Sequence, residues 1–177
     1  MLRSVGLDVT VLRSDYDEDN RLMPDGDPRE LALRHALGKA DAAHDGGPPI
    51  LVAADTIVVV DGAVLGKPRD EADARRMLAL LSGREHDVHT AFVVADRLAG
   101  AREEGVESAR VRFAAIDEAR IARYVATGEP MDKAGAYGIQ DKGALNVVSV
   151  DGDFYTVMGL PLARLDQAFA ALGYEVL

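Results

Sequence analysis

Three short stretches of the chain place charged or amide side chains beside glycine or within an apolar run. They are Ala54-Asp55-Thr56, Gly66-Lys67-Pro68 and a glycine-rich stretch from Asp132 to Gln140. Glycine lets the backbone approach a ligand closely. Lysines together with an isolated carboxylate suit a polyphosphate that is bound with a metal ion or beside an activated water. The three stretches therefore predict an enzyme that acts on phosphates.

Asp55 is the most informative of these residues because it interrupts an apolar, β-branched run from Ile50 to Val60. Such a run is typical of a strand buried on both faces. A buried carboxylate is costly unless it is paired, hydrogen-bonded or bound to a metal ion. Asp55 is thus a candidate general base or metal ligand at the rim of a sheet. The alternative is an acid that only caps a turn at the strand end.

Lys39 and Lys67 are the candidate phosphate-binding cations. Lys67 lies between Gly66 and Pro68, one predicted hairpin after Asp55, and Lys39 lies on a predicted helix beside its apolar stripe. Each could instead be an ordinary surface lysine whose stem covers apolar surface. Chain order alone does not bring them to Asp55.

The stretch from Asp132 to Gln140 surrounds Tyr137 with small residues and closes on an amide. Backbone N–H groups beside small residues can approach a ligand, an aromatic ring offers a stacking face, and Gln140 can read a base edge through two hydrogen bonds. An ordinary tight turn with a packed tyrosine is the alternative. Elsewhere, Asp17-Glu18 reads most simply as a solvent-facing pair, although the two acids could also contribute one ligand to a hard divalent cation.

Composition limits the class of protein. With 177 residues, 48% of them hydrophobic and 28% charged, the chain is expected to form one globular domain over residues 1–177. It has no cysteine, which excludes disulfides and thiol catalysis, and its net charge of -10 disfavours nucleic acid as a partner. No apolar run approaches the length of a membrane span, and the first residues lack an apolar signal core. We therefore expect a cytoplasmic protein that does not bind membranes.

The elements that must position these residues alternate between helical and strand patterns. Hairpin signals at Asp61-Gly62 and Asp151-Gly152 favour a mixed sheet over a purely parallel one, in an α/β fold with flanking helices. Asp27-Pro28 is a typical helix entry. The patterns predict strands at 7–12, 50–60, 88–95 and 106–116, a loop at 13–27, helices at 28–40, 70–81, 116–127 and 160–172, turn-prone residues at 99–105, and a hairpin of 145–150 with 154–155.

Taken in order, these motifs resemble the Maf (septum formation) family of nucleoside triphosphate pyrophosphatases. The resemblance runs from about Leu2 to Leu172, nearly the whole chain. Besides the stretches above, it rests on Asp17-Glu18, Leu31-Ala32 with Lys39-Ala40, Leu81-Ser82-Gly83, Tyr124 with Gly128-Glu129-Pro130, and Gly159-Leu160-Pro161-Leu162. Each motif is weak alone, but the ordered set is specific.

The resemblance implies a fold similar to inosine triphosphate pyrophosphatases, with two lobes around a nucleotide cleft. It implies cleavage of a nucleoside triphosphate between the α and β phosphates, which gives a monophosphate and pyrophosphate. A divalent cation, Mg²⁺ or Mn²⁺, is implied as the cofactor, and a homodimer as the assembly. Cations and positioning suit this chemistry, because charge spreads over a transferring phosphoryl group.

Residue by residue, the resemblance makes Asp55 the acid that activates water. It makes Glu18 and Asp55 the metal ligands, and Lys39 and Lys67 the phosphate-binding lysines. Thr56 and Gln140 fall where the family sets base preference, and this pair is similar to the branch that takes dTTP and UTP.

One departure from the family lies at the start of the chain. Family members begin with a strand and a Ser-x-Ser-Pro-Arg-Arg loop, a phosphate cradle at a helix N-terminus. Residues Met1 to Leu7 resemble the end of the helix that follows, which predicts an N-terminally truncated sequence. One interpretation is a start codon assigned too late or a fragment of an intact enzyme. The alternative is a catalytically impaired, nucleotide-binding relative that acts in the control of cell division.

Overall fold

The computed structural model describes residues 1–18, 26–44 and 46–176. The strands are β1 Ile50–Val60, β2 Ala63–Leu65, β3 Glu85–Asp96, β4 Ala101–Phe113 and β5 Val147–Asp151. The α-helices are α1 Pro28–Asp41, α2 Glu71–Leu81, α3 Glu118–Val125, α4 Phe154–Val157 and α5 Leu162–Ala171. Short 3-10 helices span Leu2–Val5, Glu129–Asp132, Ala134–Ala136 and Asp141–Asn146.

The strands form one five-stranded sheet in the order β2-β1-β3-β4-β5. β2 and β5 each run antiparallel to their neighbour, with Val58 opposite Leu65 and Arg110 opposite Asp151. Short β2 pairs only with the end of β1. Within the described ranges, residues 50–56 of β1 therefore have no strand beside them on that edge. The α/β class with helices around a sheet is confirmed, but the sheet is antiparallel and not mixed, because hairpins join neighbouring strands such as β1 with β2 and β3 with β4. The hairpin signal at Asp61-Gly62 is the β1–β2 turn.

The chain divides into two compact units. The first unit contains Met1–Asp55, Thr90–Glu107 and Gly159–Leu177, and the second contains Thr56–His89 and Ser108–Met158. The core of the first unit is formed by Phe92, Val94, Leu165, Ala168 and Phe169. The core of the second unit includes Leu78, Leu81, Val88, Val111 and Phe113. β1, β3 and β4 each contribute residues to both units.

Side-chain caps fix where the main helices begin. The Asp27 carboxylate accepts a hydrogen bond from the Arg29 N–H at 2.8 Å, and Pro28 takes the first helical position. This is the entry that the sequence predicts, because Asp satisfies an unpaired N–H and proline has none to satisfy. Asp70 and Asp117 cap α2 and α3 in the same way. The start of α1 in turn places Lys39 in its last turn.

Two predicted elements are wrong. Residues 7–12 form no strand: Leu7 packs against the core of the first unit, whereas Val11 is 86% exposed. Phe154 and Tyr155 are helical because the Asp153 carboxylate accepts hydrogen bonds from the N–H groups of Tyr155 and Thr156. β5 pairs with β4 instead.

Other boundaries shift. The turn between β3 and β4 is confined to residues 97–100, so β4 starts earlier than the turn-prone residues suggest. Within the predicted 13–27 loop, residues 19–25 lie outside the described residues. No helix among the described residues is long and apolar enough to cross a membrane.

Candidate active site

Lys39 joins the two acids that the sequence singles out. Its ammonium nitrogen lies 2.5 Å from Asp55 Oδ1 and 2.8 Å from Glu18 Oε1. Asp55 is only 7% exposed at the middle of β1, whereas the Lys39 and Glu18 side chains are 25% and 29% exposed. All three residues belong to the first unit. The alternative of Asp55 as a mere turn cap is excluded, since the residue lies within the strand and is paired with a lysine.

The environment shifts the protonation of both partners. Burial raises the pKa of Asp55 above its ordinary range, although the hydrogen bond from Lys39 acts in the opposite direction. Burial alone would lower the pKa of Lys39, but its hydrogen bonds to Asp55 and Glu18 outweigh it and raise the pKa. Lys39 is therefore a cation at neutral pH. One ammonium faces two carboxylates, so the fully ionised cluster carries a net charge of -1.

Lys67 belongs to the second unit and is exposed in the turn after β2. The Gly66 carbonyl before it accepts a hydrogen bond from the Gly135 N–H at 3.1 Å, which ties this turn to the glycine-rich stretch. Lys133 forms an ion pair with Asp132 at 2.6 Å and lowers the pKa of Asp132, and the charge of Lys67 contributes to the same shift. The second unit thus gathers two lysines beside the glycine-rich stretch.

Thr56 and Gln140 are also in the second unit. Thr56 follows Asp55 along β1 and is half-buried, and Gln140 is exposed just before the 3-10 helix Asp141–Asn146. Among the predicted site residues, the structure brings together Glu18, Lys39 and Asp55. The convergence of Lys67, Thr56 and Gln140 with them on one ligand stays a prediction.

The family described as Maf-like protein matches residues 1–172. The chain belongs to the Maf family. Among curated proteins, this Maf-family chain is similar to three relatives that are each named dTTP/UTP pyrophosphatase. They come from Symbiobacterium thermophilum (48% identity, covering 99% of the chain and 89% of the relative), Moorella thermoacetica (44%, 99% and 90%) and Dictyoglomus thermophilum (41%, 100% and 92%).

His35 and Tyr16 form a hydrogen-bonded pair near Lys39 of this Maf-family chain, and the sequence did not predict it. His35 is fully buried one helical turn before Lys39, and its Nδ1 lies 3.0 Å from the Tyr16 hydroxyl. Burial lowers the pKa of His35, while the nearby Asp55 and Glu18 charges act in the opposite direction. A Cβ added at Gly38 would come within 2.1 Å of the Tyr16 ring. The available signal was a glycine in the interior of a predicted helix, which usually has a packing reason.

The acids of this cluster suit a divalent cation. The described ranges contain no group of three or more His, Cys, Asp or Glu side chains that could hold a metal ion. Glu18 and Asp55 nevertheless direct two carboxylates at one positive charge, that of Lys39. Mg²⁺ needs only one or two carboxylates when substrate phosphates complete its shell. The donor set therefore fits a cation that binds together with a phosphate ligand.

A cavity of about 580 Å³ in the first unit reaches the same cluster. Glu18 and Lys39 line it, together with Tyr16 and with Val52 and Ala54 of β1. Most of its other lining residues are apolar, and Asp8 and Glu175 add two further carboxylates to its wall.

Proposed function

We propose that this chain is a nucleoside triphosphate pyrophosphatase that hydrolyses dTTP and UTP to the monophosphate and pyrophosphate. The observation that carries the proposal is the buried Asp55 carboxylate held at 2.5 Å by Lys39, with Glu18 on the same ammonium. Membership of the Maf family supports the reaction class. The relatives named dTTP/UTP pyrophosphatase, at 41–48% identity, support the substrates.

Asp55 is proposed as the general base. In the hydrolysis, a water oxygen bonds to one phosphorus of the α–β anhydride and the bridging P–O bond breaks. The water proton passes to the Asp55 carboxylate, and the bridging oxygen stays with the phosphorus that is not attacked, so that the nucleoside monophosphate and pyrophosphate separate. A carboxyl whose pKa is raised by burial is a stronger base than an exposed one, which suits this role near neutral pH.

Glu18 and Asp55 are proposed to hold a divalent cation, Mg²⁺ or Mn²⁺. The ionised cluster carries a net charge of -1 and would repel a triphosphate, whereas with a divalent cation the charge becomes +1. The bound cation would neutralise charge that develops on the phosphates. Lys39 then contributes a second fixed positive charge beside the reacting groups.

Lys67 is proposed to bind the phosphate chain, and Thr56 and Gln140 to select the base. The exposure of Lys67 and Gln140 leaves both side chains available to a ligand. A small nucleotide, and not a nucleic acid, suits a chain with a net charge of -10. We place the reaction in the cytoplasm.

The test is pyrophosphate release from a panel of nucleoside triphosphates with Mg²⁺ or Mn²⁺. Loss of the general base should slow Asp55→Asn at least about a hundredfold on dTTP and UTP. Asp166→Asn, which changes an exposed carboxylate on α5, is the matched control and should keep full activity.

Equal rates for Asp55→Asn and the unsubstituted chain would remove Asp55 from the mechanism. A preference for GTP or 7-methyl-GTP over dTTP and UTP would contradict the roles given to Thr56 and Gln140. Calorimetry that shows nucleotide binding without turnover would favour the non-catalytic alternative.

A further inference from the structure

The segment that carries Gln140 has an unusual backbone. Gly135, Ala136 and Asp141 all have positive φ, at 68°, 60° and 55°. Ala136 and Asp141 are not glycine, and such strained conformations persist only where the surrounding structure enforces them. The Gln140 side chain does not cap the 3-10 helix that it precedes. The backbone on both sides of Gln140 therefore depends on surrounding contacts to hold these conformations.

Glu129 is the residue that closes this segment. Its Oε1 accepts hydrogen bonds from the Gly143 N–H at 3.0 Å and the Tyr124 hydroxyl at 2.9 Å. Its Oε2 accepts a bond from the Lys142 N–H at 3.3 Å. The Tyr124 hydroxyl in turn accepts the Gly138 N–H at 3.3 Å. One carboxylate and one phenol thus hold both ends of the stretch 138–143, and Gln140 lies between those ends.

The two ends pack tightly. A Cβ at Gly143 would lie 2.0 Å from the Gly138 carbonyl oxygen and 2.5 Å from the Tyr124 hydroxyl, so only glycine fits. Burial raises the pKa of Tyr124, which keeps its hydroxyl protonated as a donor to Glu129. A carboxylate that accepts three hydrogen bonds at once fixes the positions of all three donors. Glu129 is therefore a main contact that holds this backbone.

Residues 135–137, at the start of the same segment, are held by separate contacts. The Tyr137 hydroxyl lies 2.8 Å from His86 Nε2, and both side chains are buried against Phe113. A Cβ at Gly135 would lie 3.0 Å from the Val58 side chain. These contacts fix residues 135–137 without Glu129. Loss of the Glu129 carboxylate should then loosen residues 138–143 while the core remains folded.

We propose that Glu129 is a positioning residue for base selection, which holds the 138–143 backbone so that Gln140 meets the base edge in a single geometry. The inference rests on the proposed function in one respect, the contact of Gln140 with the base. Both Glu129 carboxylate oxygens accept hydrogen bonds from the chain itself, from the Tyr124 hydroxyl and the N–H groups of Lys142 and Gly143. Its effect should therefore fall on KM and on the choice between bases, and not on kcat.

The test compares Glu129→Gln with the unsubstituted chain on UTP and CTP, which differ in the base edge. Glutamine places an N–H₂ donor against backbone N–H groups, so at least one hydrogen bond is lost. Loss of one such bond should raise KM for UTP about tenfold and reduce the preference for UTP over CTP by a similar factor. The kcat for UTP should stay within about twofold, as expected for a residue that acts on binding.

Glu103→Gln on β4, an exposed residue, is the matched control and should leave the preference unchanged. An unchanged preference in Glu129→Gln would overturn the proposal, as would a fall in kcat with the preference intact. If Glu129→Gln does not fold at the assay temperature, Tyr124→Phe decides. That variant removes only the hydroxyl, should lower the same preference, and overturns the proposal if it does not.

A separate readout distinguishes failure of this inference from failure of the proposed function. Calorimetry measures the binding of UMP and CMP to the unsubstituted chain and to Glu129→Gln. If no pyrophosphate is released from dTTP or UTP, the proposed function fails. The inference still stands if the chain prefers UMP and Glu129→Gln weakens that preference about tenfold. Equal preference in the two proteins, or no preference in either, overturns it.

Discussion

His86 shows how burial alone sets the charge of a side chain in this protein. It is 3% exposed, and its Nε2 lies 2.8 Å from the Tyr137 hydroxyl. Its other ring nitrogen is buried without a hydrogen-bond partner among the described residues. Burial lowers the pKa of His86 to about 4, with the Asp87 charge acting weakly in the opposite direction. The ring is therefore neutral in the folded chain at neutral pH.

His86 should make stability fall on acidification. Above pH 6.5 the ring is neutral in both states. Between pH 6.5 and 4 the unfolded chain binds a proton that the folded chain does not, so stability decreases as the pH falls. The loss by pH 4 should be about 2–3 kcal/mol.

Urea unfolding at a series of pH values measures this loss. His86→Gln, which cannot titrate, should show a shallower decrease of the unfolding free energy between pH 6.5 and 4. Identical slopes in the two proteins would show that His86 is not the group responsible.

At this scale, residue type and spacing predicted the charged residues of the candidate site, but not the residues that hold them in place. An acid inside an apolar run and a lysine late in a helix identified Asp55 and Lys39, which are indeed bonded. Tyr16, His35 and Glu129 were not predicted, because the role of each depends on side chains or backbone groups that are distant in sequence. The Glu129 carboxylate, for example, accepts from N–H groups 13 and 14 residues away.

Helix α1 is the element that carries Lys39, and it contains a glycine in its interior. Gly38 costs a helix about 1 kcal/mol relative to alanine. The Tyr16 ring occupies the space where a Cβ would lie, at 2.1 Å. Gly38 therefore lets the Tyr16 ring pack directly against the helix, and Tyr16 is only two residues before Glu18 in the chain.

The packing of Tyr16 on Gly38 predicts that the effect of Gly38→Ala on stability changes sign when Tyr16 is removed. Gly38→Ala should destabilise the chain that contains Tyr16, because backbone or ring must move. In a Tyr16→Ala background the same substitution should stabilise by about 0.5–1 kcal/mol, since only helix propensity remains. Unfolding free energies of the four proteins measure the two effects and their coupling. If Gly38→Ala changed the unfolding free energy in the same direction in both backgrounds, the close approach of Tyr16 to Gly38 would be contradicted.

Helices and strands that are specified by neighbouring residues in the sequence were predictable, and those that depend on pairing with distant segments were not. The Asp27-Pro28 entry and the apolar run of β1 were predicted because cap chemistry and composition are local. The strand predicted at 7–12 was wrong because weak alternation does not specify a partner, and these residues pair with no strand of the sheet. The hairpin at 154–155 failed because Asp153 can cap a helix as well as end a turn.

At the scale of the whole molecule, composition predicted the class of protein and little of its arrangement. Size and apolar content are consistent with the two cores, but nothing in them predicts that β1, β3 and β4 serve both units. That sharing has a simple origin. These strands are 11, 12 and 13 residues long, about twice the usual length, so each can line two cores in succession.

The edge of β1 over residues 50–56 matters for handling the protein in solution. Residues 50–54 carry half-buried aliphatic side chains and pair with no described strand on this edge, so they form a template for another copy's strand. Mutual repulsion at a net charge of -10 opposes that encounter. Added salt removes the repulsion, so light scattering should detect growing particles as NaCl rises toward 1 M, where the screening length is about 3 Å. Monodisperse samples at every salt concentration would mean that this edge is not adhesive.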